Sequence, residues 1–341
     1  MRESVLALLL SFFLAFPLFG EVLRFPSLSP DGKQVAFTYR GDIWSYGLEE
    51  GRAQRVTDNE AFEGYAAFSP DGEWIAFSSK RSGNYDVYVV SAQGGIPRRL
   101  TFHSGDDLVT GWGADGKEIL FQSNRKNMNG LYRVPFEGGG ARPLWKEFWM
   151  VSSWGREAPD GKSLVFNTSS EAYAYWWREG YRGSNGADLW LYRKEKGSFL
   201  KLTEDQGNDL FPAWASDGKS LYYSAHPKGE CQNLFRISAQ GGKPEKITSF
   251  TSGTLRWVTS ASRAHRVVFE HDHKLWLYDA STGETKPLPI LLPSDTKGPD
   301  LFRAKVSKLD GFSLSPDNRK LLLLARGRLY LSDKEGKLVT P

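Results

Sequence analysis

Cysteine is almost absent from this sequence: Cys231 is the single one among 341 residues. No intramolecular disulfide can form, so stability has to come from packing, and the lone thiol reads as a buried one. Histidine is scarce as well, with five copies. No Gly-x-Ser-x-Gly elbow is present, so a nucleophile, a base and an oxyanion hole are not encoded together. No phosphate-cradling glycine loop opens a helix. Gly138-Gly139-Gly140 reads instead as a hairpin between strands, and nucleotide binding is disfavoured. Blocks of like charge are missing: the net charge of +4 comes from 44 basic and 40 acidic residues spread along the chain, which leaves no nucleic-acid or membrane footprint. These absences lead us to expect no cofactor and no metal centre.

Long apolar runs are missing after the N-terminus. The run from Val5 to Phe16 is broken by Pro17 and followed by Gly20 before Glu21. It falls short of the roughly 20 residues that cross a bilayer, so residues 1–20 read as a secretory signal peptide, with an uncleaved anchor as the alternative. No cysteine follows the run, which excludes a lipid anchor on that residue. The expected location is periplasmic or secreted, with no membrane span after cleavage.

What the chain has in quantity is glycine (35), proline (17) and tryptophan (12), a composition of many turns and pleated, half-buried surfaces. One phrase recurs: Ser29-Pro30-Asp31-Gly32, Ser69-Pro70-Asp71-Gly72, Gly113-Ala114-Asp115-Gly116, Ala158-Pro159-Asp160-Gly161, Ala215-Ser216-Asp217-Gly218 and Ser315-Pro316-Asp317-Asn318. Proline presets φ, aspartate bonds nearby backbone, and glycine or asparagine accepts positive φ, so each copy is a tight turn between antiparallel strands. A short apolar run follows each turn, as in Val35-Ala36-Phe37 or Leu164-Val165-Phe166. A third strand such as Asp42-Ile43-Trp44 or Asp188-Leu189-Trp190 comes next, then an outer strand ending in Val56-Thr57, Leu100-Thr101, Leu202-Thr203 or Ile247-Thr248. Strand one of a unit ends in Phe68, Trp112 or Trp214. A lone four-stranded sheet cannot bury both faces, so the units must pack around an axis. The fold class is therefore an all-β propeller: six four-stranded antiparallel blades over residues 21–290, a linker at 291–301, and a seventh blade-like unit at 302–341. The sixth turn is degenerate, Ser262-Arg263-Ala264-His265. Pattern alone does not decide whether unit seven closes the ring.

The phrase Ser-Pro-Asp-Gly, then Asp-Val-Tyr or Asp-Leu-Trp, then Gly-Gly and Leu-Thr resembles the repeats shared by the TolB protein and tricorn-type proteases. An insertion in unit four, Tyr175-Trp176-Trp177-Arg178 with Tyr181-Arg182-Gly183, is similar to one in the tricorn six-bladed propeller; Ser184 stands where a second glycine is common. The resemblance covers nearly the whole chain after residue 20. It implies a non-catalytic propeller that binds or channels peptides and supports protein contacts, homo-oligomeric ones included. In that family a seven-bladed propeller, a PDZ module and a serine-peptidase domain follow, and unit seven looks like the first blade of that second propeller. The peptidase residues have no positions here to be carried to, so whether the protein acts as an enzyme stays open. The rival reading is a free-standing TolB-like envelope adaptor; a propeller enzyme would need converging acids or cofactor ligands, and none can be named.

The candidate binding residues are Trp176, Trp177, Arg178, Tyr181 and Arg182. Rigid rings with guanidinium groups suit a protein interface, and equally suit covering a blade edge. His103 and His226 sit between strands as ordinary loop histidines. His271-Asp272-His273, near His265, has metal-like spacing but reads as an exposed polar turn. Asp42, Asp86 and Asp188 recur by period and read as turn formers.

Overall fold

The Ser-Pro-Asp-Gly turn is built as its residues dictate. Ser29 Oγ donates to Asp31 Oδ1 at 2.6 Å and accepts the Gln34 N–H at 2.9 Å, while Asp31 Oδ1 accepts the Lys33 N–H. Gly32 then takes φ of 71°, and Gly72, Gly116, Gly161, Gly218 and Asn318 repeat the positive φ. These bonds outweigh partial burial and hold the Asp31 carboxyl below its usual range.

The computed structural model describes residues 22–126, 128–145, 151–178, 180–204, 207–292, 309–325, 328–333 and 339–340. The proposed signal peptide and most of the proposed linker lie outside them. Seven four-stranded antiparallel sheets are present, each made from consecutive strands. The inner strands of the first six, Arg24–Leu28, Glu63–Phe68, Asp107–Trp112, Ser152–Glu157, Asp209–Trp214 and Leu255–Ser260, pack in cyclic order, and the sixth packs back on the first. Six blades therefore close the ring. The seventh sheet, Gly311–Leu314, Lys320–Ala325, Arg328–Asp333 and Val339–Thr340, stands outside it.

No strand is exchanged between first and last blades, so the ring closes through contacts between them: the Arg263 N–H donates to the Pro30 carbonyl at 2.8 Å, and side chains supply the rest. Glu270 in blade six accepts the Phe25 N–H at 2.5 Å and the Arg24 Nε–H at 3.1 Å. Thr259 Oγ1 donates to the Pro26 carbonyl, and Arg266 donates to the Gly32 carbonyl at 2.9 Å.

Glu270 is one instance of a device found in five of the six blades. It is the fifth residue of its second strand, as are Thr38, Ser78, Gln122, Asn167 and Ser224 in the others, and all six are buried. Ser78 accepts the Val109 N–H at 2.8 Å, Gln122 the Trp154 N–H at 2.9 Å and Asn167 the Phe211 N–H at 3.2 Å, each from the following blade. Ser224 donates to the Leu255 carbonyl instead. These groups satisfy backbone that bulges leave out of the ladder: the register slips within the inner strand at Arg24/Ser27, Ser153/Arg156, Leu210/Ala213 and Arg256/Thr259, and also at Gly64/Ala67, where Thr38 makes no such bond. A buried N–H without a partner would cost about 1–3 kcal/mol, so a polar fifth residue that bonds across to the next blade supports the bulge there.

The aspartates at the heads of the third strands act as struts. Asp42 pairs with Arg55 and Asp86 with Arg99, both at 2.7 Å, and Asp188 with Lys201 at 3.0 Å. The basic residues of the outer strand thus tie it to its neighbour rather than merely guarding an edge. Thr57, Thr101, Thr203 and Thr248 accept the N–H groups of Ile43, Val87, Leu189 and Leu234 at the starts of the third strands, at 2.9 to 3.0 Å, which explains the recurrent Val/Leu/Ile-Thr ending.

Candidate functional site at the propeller axis

The bulges aim side chains at the axis. Phe25, Tyr65, Trp154, Phe211 and Trp257 all take left-handed φ between 51° and 59°, a conformation that costs a bulky residue about 1–3 kcal/mol. Their rings meet. Phe25 lies 4.3 Å from Tyr65 and 4.6 Å from Trp257, Trp154 lies 4.8 Å from Trp257, and Phe211 lies 4.6 Å from Trp257. Burying one such ring gives about 1.5–3 kcal/mol, and each aromatic pair about 0.5–1.5 more, so burial exceeds the strain. The rings fill the axis, and the space left between them is about 20 Å³.

At the end of the axis where the inner strands begin, the blade-four insertion closes the cluster. Trp176 is half-buried, its ring 5.0 Å from Trp257, with the Arg256 and Arg24 guanidinium groups 5.5 and 5.8 Å from its centre. The short helix Ser170–Tyr173 is pinned by the Trp154 indole N–H, which donates to the Ala172 carbonyl at 2.7 Å. Arg178 pairs with Glu171 at 3.0 Å and lies over Tyr175 and Tyr181. Arg182 donates to the His226 carbonyl at 2.6 Å, and Gly180 donates its N–H to His226 Nδ1. The five candidate residues therefore divide: Trp176 caps the axial rings, Arg178, Tyr181 and Arg182 brace the insertion, and Trp177, 54% exposed, faces outward with Tyr175.

The opposite end is a blind pocket of about 200 Å³ lined from all six blades, with Pro30, Pro70, Ala114, Pro159, Trp112 and Trp214 among its walls. Arg156 reaches into it. Blade three carries Val109, not an aromatic, where the others supply a ring, and Gly111 beside it leaves room: a Cβ on Gly111 would stand 3.2 Å from Arg156 Nη1. Desolvation by the surrounding protein pushes the Arg156 guanidinium down to about 10, so it stays charged at neutral pH. Glu157 also lines the pocket, but its carboxylate is engaged by Lys194 and by the Ala114 N–H at 2.7 Å.

The remaining candidates hold no constellation. His271 is buried, its ring stacked 3.7 Å from Phe250, and burial depresses its pKa although Asp272 opposes this. Only Asp272 and His273 form the exposed turn. Among the described residues no group of three His, Cys, Asp or Glu side chains could hold a metal ion. Ser216 Oγ lies 2.8 Å from His265 Nδ1, but the neighbouring Asp217 is held by Arg236 and Ser220, so no acid orients that imidazole. His103 Nδ1 accepts the Gly105 N–H within its own loop. Cys231 is half-buried and donates to the Phe250 carbonyl.

The axial rings and Arg156 were missed by sequence reasoning. A signal existed: an aromatic at the second or third inner-strand position in five blades and a valine in the third, followed two residues later by glycine.

Comparison with known proteins agrees with this architecture. The chain is 29% identical over 317 residues to "Tricorn protease homolog 1" of Streptomyces coelicolor, covering 87% of this chain and 27% of that protein. It is 25% identical to "Tricorn protease homolog" of Saccharolobus solfataricus, covering 88% of this chain and 27% of that protein. It thus spans about a quarter of the length of the curated relatives it matches. The crystal structure of the tricorn protease superposes with a TM-score of 0.70 at 21% identity, over 94% of this chain and 31% of that one. A putative TolB from Agrobacterium tumefaciens gives 0.58 at 22%, over 69% and 83%; at these identities the likeness shows the fold alone. Residues 20–284 match the family described as the tricorn protease N-terminal beta propeller domain, and with that match spanning most of its length, the chain belongs to this family.

Proposed function

We propose that this chain supplies the non-catalytic propeller part of a secreted or periplasmic tricorn-type peptidase and binds peptides or partner segments at the insertion end of the ring. The observation that carries this reading is the pair of exposed rings, Tyr175 and Trp177, held on a braced insertion above a filled axis. Rings fixed in place lose little freedom on binding. Binding is favoured over passage along the axis, because Trp176 and five inner-strand rings occupy it. The apolar run at residues 5–16 supports export, and no helix among the described residues is long and apolar enough to cross a membrane. Any peptidase activity would come from parts of such a protein other than these blades. The seventh sheet, whose Phe312 and Leu314 are 75% and 57% exposed, is the surface we assign to contacts with further repeats or a second copy.

The test is a calorimetric titration of unstructured 15-residue peptides into the chain and into a Tyr175→Ala/Trp177→Ala variant. Loss of two anchor rings is expected to weaken binding at least about tenfold, with the unfolding temperature unchanged because both rings are exposed. Equal affinity of the two proteins would overturn the assignment of the insertion face.

A further inference from the structure

The pocket at the turn end holds a cation that the fold itself does not use. Arg156 comes from the inner strand of blade four, yet among the described residues no carboxylate lies within ion-pair distance of it, and its guanidinium donates no hydrogen bond to the protein. Its backbone is fully employed: the Arg156 carbonyl accepts the Trp214 indole N–H at 3.0 Å. The side chain is therefore fixed at its root, with five N–H donors left over. Other arginines near the axis differ. Arg24 meets Glu270, Arg81 meets Glu63, Arg125 meets Asp107 and Arg178 meets Glu171.

A half-buried charge without a partner is costly, and nothing in the ring requires one here, since the other five blades carry the small residues Ser27, Ala67, Gly111, Ala213 and Thr259 at the equivalent place in their inner strands. The environment selects the ligand. One guanidinium and a carboxylate that is already paired give a single net positive charge, matched by a monoanion. The planar fork of donors matches a carboxylate in two-point contact. Around it the walls are Pro30, Pro70, Ala114, Pro159 and two indoles, which suit a small apolar body. Trp257, whose indole N–H has no partner, lines the narrow inner extension beside Arg156.

We propose that the turn-end axial pocket is a binding site for a carboxylate on a small apolar body, with Arg156 as the carboxylate-gripping residue and Gly111 as the residue that admits its guanidinium. The carboxylate comes either from a peptide C-terminus or from a free small organic acid. This site lies at the opposite end of the axis from the insertion and does not depend on the function assigned there.

Three probes separate the cases in calorimetric titration: acetyl-dialanine with a free carboxylate, its C-terminal amide, and butyrate. The acids are expected to bind and the amide to bind at least about 30-fold more weakly, the loss of a charge-assisted two-point contact. Tighter binding of acetyl-dialanine than butyrate identifies a peptide C-terminus; equal binding identifies a small acid. Arg156→Met should lose the acids by the same factor while its unfolding temperature holds or rises, because an unpartnered enclosed cation is removed. Gly111→Ala, which crowds Nη1, should weaken the acids severalfold without unfolding the ring. Equal binding of acid and amide, no binding of either acid, or an Arg156→Met protein that melts early yet keeps its affinity would each overturn the proposal.

Discussion

Glu270→Ala is expected to destabilise the chain by about 2–4 kcal/mol, because it leaves the half-buried Arg24 guanidinium and the buried Phe25 N–H without their partner at once. For a unit of this size that is a fall in unfolding temperature on the order of 10 °C. The reason is positional. Five of the six blade junctions join consecutive segments of chain, whereas the junction between blades six and one brings together residues 245 positions apart. Chain connectivity does nothing to hold it, and Glu270 supplies two of its side-chain bonds, the shortest of them included. Burial already pushes the Glu270 carboxyl above its usual range, against the pull of Arg24 and the Phe25 N–H. A neutral isostere is therefore tolerated better: Glu270→Gln retains an acceptor for Phe25 and should cost about half as much or less. Guanidinium or thermal denaturation of the three proteins checks this. An alanine variant as stable as the parent would show that closure is held elsewhere.

Trp257→Ala is the second large effect. Trp257 is 6% exposed and touches Phe25, Tyr65, Trp154, Trp176 and Phe211, so it is the ring around which the axial cluster is organised. Truncation removes its transfer free energy and leaves a hole that the bulged strands, pinned by the polar latches, cannot close. A cost of about 3–5 kcal/mol is expected. Trp177→Ala, in the blade-four insertion, should stay within about 0.5 kcal/mol of the parent. Equal costs at the two positions, read by chemical denaturation, would mean that the axis is not packed as described.

The sequence made the repeat visible because each turn is local chemistry: Ser29, Pro30, Asp31 and Gly32 build their own hairpin from residues within five positions. Blade strands followed from the apolar runs between those turns. What pattern could not supply was anything decided across blades. Ser78, Gln122, Asn167, Ser224 and Glu270 look like polar ends of apolar strands, and only the neighbouring blade shows that they are latches. Likewise Phe25, Tyr65, Trp154, Phe211 and Trp257 pass as ordinary strand aromatics, since left-handed φ at a bulky residue is disfavoured locally and is repaid only by rings contributed from other blades. Arg156 escaped notice for the same reason: its significance rests on a carboxylate that is missing from its surroundings, and on Gly111 from a different blade. Trp176 stands out from the repeat in the sequence, yet its place over the axial rings depends on Trp257, 81 positions further on.

Hydrogen exchange of the inner strands tests most directly whether the ring is closed around a sealed axis. The amides of Glu63–Phe68, Ser152–Glu157, Asp209–Trp214 and Leu255–Ser260 should be among the slowest in the protein, exchanging only with global unfolding, and those of Arg24–Leu28 should match them if the ring is closed. Exchange of these strands within minutes under native conditions, as fast as exposed loops, would contradict the account and indicate a water-filled channel.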